Sequence, residues 1–103
     1  MDKTYLVVDF EATCGPGVER EDMEIIEFGA VIVNAHTFNI EKLYKSFVKP
    51  VKKTEITVFC TNLTGITQAD VDEARPFEEV FMEFYEKMVK PYNHVLWGSW
   101  GKF

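Results

Sequence analysis

Apolar and polar positions follow two rhythms along this chain: period two or continuous runs in the first half, and a spacing of three and four later. Tyr5 to Phe10 reads Tyr-Leu-Val-Val-Asp-Phe, a continuous β-branched run of the kind shown by a strand buried on both faces. Ala12 to Asp22 carries Gly15, Pro16 and Gly17 ahead of a charged stretch and reads as a loop. Glu24 to Asn34 predicts a second strand, with Gly29 in its middle marking a bulge or a close backbone approach. Asn34 to Thr37 is polar enough to turn. Phe38 to Val48 predicts a third strand, in which Leu43, Lys45 and Phe47 alternate with Tyr44, Ser46 and Val48. Short links between the three predict an antiparallel meander, stopped by Lys49-Pro50.

The second half changes period. Thr54 is a candidate cap for a short helix over Glu55 to Asn62, although Ile56, Thr57 and Val58 are β-branched and oppose one. Thr67 is placed to cap a helix over Gln68 to Ala74, with Asp70 in its first turn favoured by the helix dipole. A longer helix is predicted from Arg75 or Pro76 to Val89. Its apolar residues Phe77, Val80, Phe81, Phe84, Tyr85, Met88 and Val89 recur on one face, and Pro76 suits its first turn. That stripe reads as core. Lys90-Pro91 ends the helix, and His94 to Trp97 predicts a fourth strand. The order β-β-β-α-α-β implies an α/β fold with a mixed sheet, and helices between strands three and four supply a crossover.

Composition narrows the class. The 103 residues suit one small domain or part of one, and 47% hydrophobic with 15% aromatic content excludes a disordered chain. No apolar run reaches membrane-spanning length. Met1-Asp2-Lys3 leads straight into a strand, so no signal peptide is expected. Cys14 and Cys60 are too few and too far apart for a disulfide framework or a zinc motif; free thiols in a reducing cytoplasm are expected. The net charge of −6 lacks the basic excess of proteins that hold nucleic acid by phosphate contacts alone. It fits an ordinary acidic protein, and equally an enzyme whose carboxylates hold cations that grip phosphate.

Asp9-Phe10-Glu11 is the candidate chemistry. Side chains two apart on a strand point the same way, so both carboxylates share a face where the apolar run meets the glycine loop. They repel unless a cation or proton intervenes. Hard oxygen ligands suit Mg²⁺ or Mn²⁺, and two such ions can drive phosphodiester hydrolysis. The same spacing also fits a strand end with Asp9 capping the loop and Glu11 solvated.

The longer string favours the first reading. Val7-Val8-Asp9-Phe10-Glu11-Ala12-Thr13-Cys14 resembles the first motif of the DEDD (DEDDh, RNase T-like) 3′→5′ exonucleases, in particular their histone-mRNA and small-RNA degrading branch. Glu24 to Val31, Phe59 to Gln68 with Val71, Asp72 and Ala74, and Trp97 to Phe103 resemble further family segments in the family's order. The resemblance implies a ribonuclease H-like mixed sheet, antiparallel in its first three strands with a parallel fourth after the helices. It also implies a two-metal site of four acids and a histidine base. On it, Asp9 binds both metals and Glu11 one. Ala12, Thr13 and Cys14 line the terminal-nucleotide pocket, Leu63, Thr64 and Gly65 wall it, and Trp100 supports the second motif. Glu27 has no metal role in the family pattern; it reads as structural or as a partner of the metal ligands. His36 and His94, and Asp70 and Asp72, match no catalytic position.

The implied activity is release of nucleoside 5′-monophosphates from a single-stranded 3′ end, RNA ahead of DNA. The second aspartate, the histidine and the last aspartate are absent from these residues. Residues 1–103 are therefore expected to be the N-terminal portion of one exonuclease domain, inactive alone and prone to self-association through exposed sheet surface. The competing expectation is a non-catalytic nucleic-acid- or protein-binding remnant of the same fold.

Overall fold

The structure, a computed structural model, describes residues 2–99. Strand β1 spans Lys3–Ala12, β2 Ile25–Asn34 and β3 Ile40–Phe47, with one 3₁₀ turn, Arg20–Asp22, in the first loop. Helices α1 (Val58–Thr64), α2 (Gln68–Asp72) and α3 (Phe77–Phe84) follow. A π-helical turn, Tyr85–Val89, continues α3, and β4 covers Asn93–Ser99. The sheet order is β3-β2-β1-β4. The first three strands pair antiparallel and β4 joins β1 in parallel, which is the mixed sheet the sequence predicts.

Local chemistry sets the boundaries. Asn34 Oδ1 accepts from the N–H groups of His36 and Thr37 (2.9 Å each), an Asx-type turn that delays β3 until Ile40. The helix expected after Thr54 starts later. Thr57 is the cap, accepting from Cys60 N (3.0 Å) while donating to the Cys14 carbonyl (2.6 Å). The β-branched residues Ile56 and Thr57 thus remain outside the helix, consistent with their propensity. Thr67 caps α2 in a reciprocal box with Asp70, so Asp70 acts through hydrogen bonds as well as through the dipole. Pro76 is the cap of α3 rather than a residue of its first turn.

The core lies on one face of the sheet. Leu6, Phe28, Ala30 and Ile32 are buried under Val80, Phe84 and Met88 of the α3 region. The helix stripe is only partly core, because Phe77, Phe81 and Tyr85 remain about two-fifths exposed. A narrower stripe suffices for a helix that covers a sheet from one side. Tyr44 and Arg75 fasten this helix. Glu83 takes two hydrogen bonds from the Arg75 guanidinium (2.8 and 3.1 Å) and one from the Tyr44 hydroxyl (2.8 Å). A second cluster, Ile26, Cys60, Ile66 and Val71, seats α1 and α2 beside the end of β1. The opposite sheet face is open, so β1 is not buried on both faces: Leu43 is 68% exposed and Asp9 is exposed there.

His94 is a structural residue. Its Nδ1 meets Thr4 Oγ1 at 2.8 Å and its Nε2 meets the Met88 carbonyl at 2.7 Å, tying the π turn to β1 and β4. No helix among the described residues is long and apolar enough to cross a membrane.

Candidate metal and nucleotide site

Strand register builds the site. Asp9 sits opposite Gly29 and Gly29 opposite Lys45; one row on, Glu11 sits opposite Glu27 and Glu27 opposite Phe47. Asp9 and Glu11 therefore stand together on the open face, with Glu27 about 5 Å away across the strand pair by ordinary sheet spacing. Gly29 leaves the place beside Asp9 bare. A Cβ there would lie 3.1 Å from the Asp9 backbone oxygen, so the expected close approach is real. The bulge falls elsewhere: the register slips between Glu11 and Ala12, leaving Ile26 as the extra residue on β2. Bulges bend a strand and terminate pairing, and this one does so directly after Glu11.

The bare strip forms the floor of an open trough of about 700 Å³ lined by Val7, Asp9, Glu27, Val31, Leu43 and Lys45 among others. Lys45 Nζ lies 3.7 Å from Glu27 Oε2. Burial, then the charge of Asp9, then that of Glu27 push the Glu11 carboxyl above its ordinary range. Three carboxylates with one lysine leave net negative potential at the strand end. A hard cation relieves it, and carboxylate oxygens are its natural donors. Asp9 and Glu11 fit as two members of such a site. Among the described residues no three acidic, histidine or cysteine side chains converge closely enough to enclose a metal, so these two are part of a ligand set.

The loop beyond Glu11 is held from two sides. Thr13 is buried; its N–H donates to the Glu24 carbonyl (2.8 Å) and its hydroxyl accepts from Glu24 N (2.9 Å). The Glu24 carboxylate in turn accepts from Val51 N and Lys52 N (2.9 Å each). Ala12 and Cys14 dock on the start of α1 through the Thr57 hydroxyl and the Cys60 thiol, whose sulfur lies 3.7 Å from the Ala12 carbonyl. A Cβ on Gly15 would come within 2.5 Å of Thr57 Oγ1, which shows how closely loop and helix meet. On the outer side of α1, Phe59 and Leu63 are one turn apart, 52% and 69% exposed. Thr64 donates its hydroxyl to the Cys60 carbonyl (2.8 Å) and Gly65 closes the helix on the Thr61 carbonyl (2.8 Å). Trp100 lies outside the described residues.

The structure thus brings Asp9 and Glu11 onto one face and sets Ala12–Cys14 against the helix that carries Leu63, Thr64 and Gly65. It adds Lys45 and gives Glu27 an electrostatic role. The period-two pattern of β3 puts Lys45 on the face of Leu43 and Phe47. Its alignment with Asp9 depends on cross-strand register, which no single segment encodes.

Comparison with known proteins agrees with this fold. The family model described as "Exonuclease" (RNase_T) matches residues 6–95. The chain is 43% identical over 83 residues to 3′-5′ exoribonuclease 1 of Mus musculus, covering 80% of this chain and 24% of that protein. It spans about a quarter of the length of such curated relatives. The nuclease domain of 3′hExo, a DEDDh family member bound to rAMP, superposes with a TM-score of 0.85 at 37% identity, over 94% of this chain and 52% of that one. A 3′-exonuclease in a structure of 3′-end specific recognition of a histone mRNA stem-loop gives 0.84 at 37% identity, over 94% and 36%.

Proposed function

The chain belongs to the RNase T exonuclease family, and on that footing we propose that it is part of a DEDDh-type 3′→5′ exonuclease that shortens single-stranded RNA from its 3′ end. Asp9 and Glu11 would hold Mg²⁺ or Mn²⁺, and an ion there would supply Lewis acidity for phosphodiester hydrolysis by water. The family is divalent-metal dependent in general, and the pairing of these two carboxylates on the open face at the bulged end of β1 is the observation that carries the reading. Ala12, Thr13 and Cys14 form one side of the terminal-nucleotide pocket. Leu63, Thr64 and Gly65 form the other side. RNA is favoured over DNA because the relatives are exoribonucleases. The setting is a reducing cytoplasm, in keeping with two free thiols.

Isothermal titration of the 103-residue chain with adenosine 5′-monophosphate tests this. Binding in Mn²⁺ that disappears with EDTA and in Asp9→Ala is expected. Binding that ignores both would replace the nuclease with the second reading, a binding module without catalysis.

The open face also supports self-association. Leu43 and Leu96 are 68% and 60% exposed, and apolar sheet surface of this kind is a contact site between proteins. Sedimentation at micromolar concentration is expected to show dimers or larger species; a single monomeric boundary would end this part of the proposal.

A further inference from the structure

Lys45 enters the open trough from the β3 side. Register sets Asp9, Gly29 and Lys45 in one row across three strands. Lys45 therefore stands two strand spacings from Asp9, roughly 10 Å between Cα atoms. Gly29 puts no side chain in the gap. Among the described residues that line the trough, Lys45 is the one cation.

Two contacts hold its ammonium over the open face. Nζ lies 3.7 Å from Glu27 Oε2 and 5.4 Å from the centre of the Phe47 ring. Neither is a tight partner. The ion pair is longer than a hydrogen bond, and with the lysine side chain 66% exposed it contributes little to stability. The ring contact orients the stem more than it neutralises the charge. The ammonium is thus aimed into the trough with its donors available. A phosphate approaching the end of β1 meets the charges of Asp9, Glu11 and Glu27. Cations held by Asp9 and Glu11 would offset the first two. Glu27 remains, opposite Glu11 on β2, and it repels an anion unless its own charge is covered.

We propose that Lys45 is a phosphate-binding residue of this site, its ammonium donating to the phosphate of the terminal nucleotide while it masks Glu27. The assignment rests on the function proposed above, since that reading places a nucleotide phosphate beside Asp9 and Glu11. Its sign separates it from a plain surface ion pair. A lysine that only balanced Glu27 would compete with metal ions for the carboxylates. Its removal would tighten Mn²⁺ binding and leave nucleotide binding unchanged or stronger. Removal of a lysine that grips phosphate weakens nucleotide binding even when Mn²⁺ is saturating.

Isothermal titration of the 103-residue chain, Lys45→Met and Lys45→Arg with adenosine 5′-monophosphate at saturating Mn²⁺ makes the comparison. Lys45→Met should weaken binding about tenfold, as loss of one charge-assisted contact does, and Lys45→Arg should recover most of it. Raising the salt concentration should weaken binding by the unaltered chain more than by Lys45→Met, because the missing attraction is the screened one. Unchanged or tighter binding by Lys45→Met overturns the proposal, and so does weaker binding with the same salt sensitivity, which would mean that shape and not charge was lost. If the unaltered chain binds no adenosine monophosphate in Mn²⁺, the nuclease reading fails, and inorganic phosphate in Mg²⁺ judges Lys45 alone. Movement of the Lys45 ε-methylene signal in NMR, with that of Lys42 still, then supports the assignment; a stationary Lys45 signal ends it.

Discussion

Glu83 and Glu11 are both half-buried carboxylates, and their surroundings are opposite. Glu83 meets Arg75 through two nitrogens, takes a hydrogen bond from Tyr44 and lies 3.6 Å from Lys87. These partners, the Arg75 hydrogen bond first, hold its carboxyl down to about 2. Glu11 has burial, Asp9 and Glu27 against its charge, and its carboxyl is pushed up. One site spends its charge on joining α3 to β3. The other keeps unbalanced charge at the end of β1, which lowers stability unless a cation arrives. Sites held at such a cost are where function is concentrated.

The comparison breaks most visibly on the stabilising side. Glu83→Ala should destabilise the chain by about 1–2 kcal/mol in urea unfolding, since it strips a hydrogen bond from half-buried Tyr44, with the Arg75 pairing discounted for solvent screening. Because folding lowers the Glu83 pKa, its contribution is fully present above the ordinary carboxylate value of 4.5 and fades as pH falls towards about 2. The difference between the unaltered chain and Glu83→Ala should shrink over that window. A difference that persists at pH 2 would mean packing, not charge, holds the helix.

Glu11→Gln should move the other way and by less, stabilising the metal-free chain by about 0.5 kcal/mol at pH 7. The sign follows from a raised folded pKa: ionised Glu11 opposes folding, and the penalty disappears as pH falls. Mn²⁺ should reverse the ranking, raising the melting temperature of the unaltered chain and leaving that of Glu11→Gln unmoved. Equal shifts in both would remove Glu11 from the metal site.

Much of this was legible from sequence because the signals are local. The apolar runs of β1 and β2 specify strands whatever surrounds them, and Asp9 and Glu11 share a face by strand geometry alone. The start of α1 was less legible. Thr54 and Thr57 are equivalent caps until the Cys14 carbonyl selects Thr57. The row from Asp9 through Gly29 to Lys45 needed register, which the Asn34 turn and the slip that leaves Glu41 as the extra residue on β3 set jointly. The stripe of α3 showed which side faces inward, yet only tertiary packing decides how much of Phe77, Phe81 and Tyr85 is covered.

The π-helical turn has a consequence for the chain's tolerance of length change. Lys90 N reaches back five residues to the Tyr85 carbonyl (2.9 Å), so the turn holds one residue more than an α-helix needs. That residue works as a phase adjuster. It brings Met88 inward and leaves its carbonyl for His94. Deleting any one residue of Tyr85–Val89 would give regular helix with everything after it rotated by about 100°, and β4 would enter the sheet out of step. In this stretch an insertion or deletion is read as an angle before it is read as a distance.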